Sequence, residues 1–66
     1  VNEVHDILKY FAYSHLPERL QQISEPLCNV ALWAADELDG PELLAGLRKL
    51  LEAKDCFVRA KVSQES

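Results

Sequence analysis

The run from Leu16 to Leu38, LPERLQQISEPLCNVALWAADEL, carries apolar side chains at Leu16, Leu20, Ile23, Leu27, Val30, Ala34 and Leu38. Steps of four and three are the seam of a long helix packed against another helix. From Pro17 to Leu38 that helix is roughly 33 Å long at the standard rise. Pro17 suits its first turn, because a fixed φ and a missing N–H cost nothing there. Pro26 interrupts the seam, since its ring displaces the carbonyl four residues back and its nitrogen cannot donate. The expectation is a kink, or two helices with Ser24 as the second N-cap. Between Leu27 and Ala35 only Asn29 is polar. A helix apolar all round is a buried one, and in a chain this short only another subunit can bury it.

Outward from this run, Asp39-Gly40-Pro41 predicts a tight stop and restart. Gly40 ends one helix in the left-handed conformation and Pro41 opens the next. An antiparallel hairpin results. Its second helix extends from Pro41 to Val62 with two heptad stripes, Leu43, Leu50, Phe57 and Leu44, Leu51, Val58, joined at their centre by Leu47. Two stripes predict two partners. Upstream, Val4, Ile7, Leu8 and Phe11 at i, i+3, i+4 and i+7 predict a short amphipathic helix that Asn2 can cap. The expected fold is all-α: a short N-terminal helix plus a long, Pro-kinked antiparallel hairpin, assembled as a homo-oligomer. Residues 1–62 form one domain and 63–66 a polar, fraying tail.

The chain has 66 residues, 48% hydrophobic and 27% charged, which makes one small globular unit. At this size a single core barely offsets an ordering cost of roughly 1.5 kcal/mol per residue, so self-association or a staple is expected. Two cysteines cannot build a disulfide framework, and Cys28 and Cys56 lie about a turn out of register across the hairpin. Two free thiols imply a reduced compartment. The net charge is -4, which argues against a polymer nucleic-acid binder. No run long enough to span a membrane and no secretion leader occurs, so a cytosolic protein is expected. No metal-ligand spacing, Gly-rich phosphate loop or nucleophile elbow is present, which leaves catalysis without support.

The charges are uneven. The segment 46–62 sums to +3, leaving -7 for the rest. Arg48, Glu52, Asp55 and Arg59 recur at i, i+4, i+7 and i+11, the pattern of a solvated ladder of pairs. Lys54 differs, because it occupies the heptad place of Leu47 between the two stripes. It can snorkel, pair with a carboxylate across an interface, or offer its ammonium to an anion. Tyr10, Phe11, Tyr13 and His15 gather at the end of the first helix. Phe11 continues the apolar stripe, whereas Tyr13 lies off it and can serve as a stacking platform for a base. Trp33 also falls off its seam and suits an intersubunit anchor.

The string Phe11-Ala12-Tyr13-Ser14-His15-Leu16-Pro17, followed by Gln21 and Ile23, then Pro41-Glu42, Leu47, Lys49-Leu50, Glu52-Ala53 and Ala60, resembles the small phage sponges that sequester cyclic-nucleotide immune signals. These anti-CBASS and anti-Thoeris proteins share a helical hairpin domain. The resemblance implies a non-enzymatic homo-oligomer, often a hexamer in that family, without a cofactor. It acts in the cytoplasm of the infected bacterial host. It implies binding of a cyclic dinucleotide, a cyclic trinucleotide or a cyclic ADP-ribose variant, held intact in intersubunit pockets. The family's stacking tyrosine corresponds to Tyr13. Its basic ligand contact early in the second helix corresponds to Ser24, whose hydroxyl can hydrogen-bond a phosphate but supplies no charge. Arg19, or Lys54 and Arg59 from a neighbouring chain, would supply it. His15 stands one residue further from Tyr13 than in the usual motif, because Ser14 intervenes. A different class of function, a helical adaptor that buries its apolar faces on another protein, fits the same stripes, as does a ligand-free structural oligomer.

Overall fold

A computed structural model describes residues 3–65. Its elements are α1 (Glu3–Leu8), a 3₁₀ turn over Lys9–Phe11, α2 (Glu18–Glu37) and α3 (Pro41–Gln64). The long helices α2 and α3 form the antiparallel hairpin, and α1 lies across one face of both. The molecule measures 40 × 19 × 19 Å. The expected cap at Asn2 lies outside the described residues.

A helix of six residues does not hold in water on its own. What keeps α1 in place is its stripe: Val4, Ile7 and Leu8 pack on a core of Phe11, Ala31, Leu43 and Leu47. Phe11 is completely buried. It enters between the long helices where α2 offers the small Ala31. The buried line of α2 is therefore Leu20, Ser24 and Ala31. Leu20 belongs to the predicted seam, whereas Ser24 and Ala31 lie beside it. The cause is that α1 and the 3₁₀ turn cover α2 from one side, which rotates the sheltered line toward them.

Three local expectations need correction. First, α2 is one helix through Pro26, with Ser24 inside it and fully buried, so Ser24 caps nothing. The proline is tolerated because Pro26 and Gln22, whose carbonyl loses its N–H partner, are both exposed and water can serve the carbonyl. Second, Gly40 does not terminate α2. Helix α2 ends at Glu37, Leu38 turns extended, and Gly40 with φ 92° and ψ 177° is the residue before Pro41 at the start of α3. That conformation is open only to glycine. Third, α3 continues to Gln64, and Glu65 accepts a 2.6 Å hydrogen bond from Arg19 Nε. The helix end thus lies two residues past the expected end at Val62 and is tied across the open end of the hairpin.

Candidate functional site

The connector between the 3₁₀ turn and α2 sets the site. Ala12 leaves the turn with extended backbone, its N–H bonded to the Lys9 carbonyl. The Gln21 side chain then donates to the Leu16 carbonyl at 2.7 Å and the Ser14 carbonyl at 3.4 Å, and Leu16 N–H to the Tyr13 carbonyl at 3.0 Å. These bonds hold the loop that carries Tyr13 against the first turns of α2.

Tyr13 is half-buried, and its hydroxyl donates to Glu25 Oε2 at 3.2 Å. That hydrogen bond, and then the carboxylate's charge, raise the phenol above its ordinary value of 10.0. Cys28, one turn beyond Ser24 on α2, is raised chiefly by burial and further by Glu25, while the charge of Lys54 works the other way. Tyr13 and Glu25 are thus in direct contact. Lys54 is only 12% exposed at its side chain. Its ammonium donates to the Tyr10 carbonyl at 2.7 Å and stands 3.6 Å from Asp55 Oδ1. Within one chain, then, Lys54 stitches the 3₁₀ turn to α3.

Ser24, the residue before Glu25 on α2, has no exposure, and its Oγ has no hydrogen-bond partner among the described residues. A buried hydroxyl left in this way costs about 1–3 kcal/mol. The region of the 3₁₀ turn, the connector and the first half of α2 thus carries an aromatic ring fixed by a carboxylate, a largely buried ammonium and a hydroxyl sealed from solvent. Of these, the Tyr13 ring is the group able to stack a planar base.

The remaining predicted residues lie elsewhere. Arg19 is drawn to Glu65. His15 is exposed on the connector. Arg59 is exposed, with its guanidinium donating to Cys56 Sγ at 3.3 Å. On α3 it projects well away from Lys54, since five residues are about 140° around a helix. One chain therefore does not unite Lys54 and Arg59. Glu25 was not singled out by sequence, because an exposed acid on a helix has no signature; its position twelve residues past Tyr13 gains meaning only once the connector folds back.

Cys28 and Cys56 are free thiols. Among the described residues no cluster of His, Cys, Asp and Glu could hold a metal ion, and no helix is long and apolar enough to cross a membrane. Compared with known proteins, the chain matches no family model, and no curated protein or solved structure is significantly similar to it.

Proposed function

We propose that the chain is a non-enzymatic phage sponge that binds and sequesters cyclic-nucleotide immune signals of the CBASS or Thoeris type in the cytoplasm of an infected bacterium. The observation that carries this reading is the region around the 3₁₀ turn. There Glu25 holds a half-buried tyrosine, Lys54 docks on the Tyr10 carbonyl, and Ser24 is buried without a partner among the described residues. A net negative charge does not oppose it, because a ligand with two or three phosphates needs only a few placed cations and aromatic surface. The unit is a kinked hairpin in a homo-oligomer, a hexamer by the family resemblance. Arg59 and Lys54 meet the ligand from neighbouring subunits, and Arg19 and His15 border the pocket. Cyclic dinucleotides, cyclic trinucleotides and cyclic ADP-ribose variants are the ligand classes to test.

Calorimetric titration with one member of each class tests the reading. Tyr13→Ala should weaken binding by about 1–3 kcal/mol, the worth of a base-stacking ring, while the oligomer persists. Unchanged affinity would remove Tyr13 from the site. Leu32 and Trp33, 52% and 61% exposed, favour a second reading in which the chain is an adaptor that buries them on another protein.

A further inference from the structure

The face of the hairpin opposite α1 is an open apolar groove. Toward the hairpin's open end it holds about 380 Å³, lined by Ile23, Leu27, Phe57, Ala60 and Lys61 among others. Toward the turn it holds about 230 Å³, lined by Val30, Ala34, Leu38, Glu42, Gly46 and Leu50 among others. Those α2 residues are the heptad seam of the sequence, and Leu43, Leu50 and Phe57 are one of the two stripes of α3. The chain thus builds both walls of a helix-packing groove and places none of its own helices in it.

We propose that a second copy of this chain occupies the groove, its α3 running antiparallel to the first α3 about a two-fold axis level with Leu50 and Ala53. The chain's own spacing fixes this occupant. The groove is acidic at its turn end, where Glu42 lines it, and basic at its open end, where Lys61 does. Only an antiparallel copy sets each against its opposite. The axis that brings Glu42 to the partner's Lys61 also brings Leu43 to the partner's Ala60, Gly46 to the partner's Phe57 and Leu50 to the partner's Ala53, because all four pairs share one midpoint. Every apolar pair is large against small.

Gly46 has no role within its own chain. A Cβ there would meet nothing within 4 Å, and a glycine inside a helix is less favourable than alanine. Phe57, 53% exposed, is the ring that the vacant space fits. The chain exposes 4745 Å², whereas the scaling law for monomers gives roughly 4200 Å² at this mass.

The proposal rests on the self-association in the preceding reading and on nothing about the ligand. It is therefore tested on nucleotide-free protein, and nucleotide binding is scored separately. In sedimentation equilibrium, Gly46→Leu should favour the helix yet collide with the partner's Phe57, weakening association at least about tenfold with the circular dichroism unchanged. Phe57→Ala added to Gly46→Leu should recover most of the loss. Lys61→Glu and Glu42→Lys should each weaken association about tenfold, and the two together should restore it, the mark of a direct pair. A wild-type chain that stays monomeric, a Gly46→Leu variant that assembles as tightly as the parent, or a double charge reversal no better than either single would each overturn the interface. The first result would leave the groove to a different protein.

Discussion

Ser24 and Tyr13 are where the chain departs from what stability alone would select. Helix α2 buries the Ser24 hydroxyl completely and gives it no partner among the described residues. Ser24→Ala should therefore raise the stability of the free protein by about 0.5–1.5 kcal/mol, read by thermal or urea melts. A fall in stability would mean that the hydroxyl finds a partner within the fold. Tyr13 is raised by its hydrogen bond to Glu25 and by that carboxylate's charge. Between the ordinary value and the raised one the folded chain holds a proton that the unfolded chain has released. The contribution is full below pH 10 and is lost as pH rises through the raised value. Glu25→Gln should return the phenolate absorbance transition of Tyr13 toward its ordinary position. A transition that does not move would detach Glu25 from the ring.

At the scale of elements, two short features decide how the helices meet. Gly40 takes a backbone conformation that a side chain rarely adopts, although a Cβ there has open space. Gly40→Ala should thus destabilise by about 1–3 kcal/mol through backbone strain alone, measured by urea denaturation with an unchanged m-value. Lys54 anchors the 3₁₀ turn through the Tyr10 carbonyl. Lys54→Leu restores an apolar heptad but gives up that bond. It should cost about 1–2 kcal/mol and speed amide exchange in α1 ahead of α2 and α3.

Apolar spacing and turn residues made the helices and the hairpin legible, because those patterns follow from local geometry. The rotation of the buried line of α2 toward Ser24 and Ala31 was not, since it depends on α1 docking from afar. Nor was the Lys54 bond to Tyr10, which joins residues 44 apart. Of the candidate site, Tyr13 is tied to Glu25 and Lys54 to the Tyr10 carbonyl, whereas Arg19 is engaged at the open end of the hairpin by Glu65.

At the scale of the whole molecule, a chain of this length leaves Tyr10, Trp33, Leu38 and Phe57 more than half exposed. Apolar surface of that extent is what the proposed assembly would cover. In the proposed account, assembly covers the groove and brings Arg59 of one subunit toward Tyr13 and Lys54 of another. The measurement that bears most directly on this account is recovery of an intact ligand. Purified protein is mixed with a cyclic dinucleotide, a cyclic trinucleotide and a cyclic ADP-ribose variant, passed through a filter that retains protein, then heated and analysed by mass spectrometry. The account predicts that at least one nucleotide disappears from the filtrate and returns chemically unchanged on heating. All three remaining in the filtrate, or return of a hydrolysed product, would contradict it.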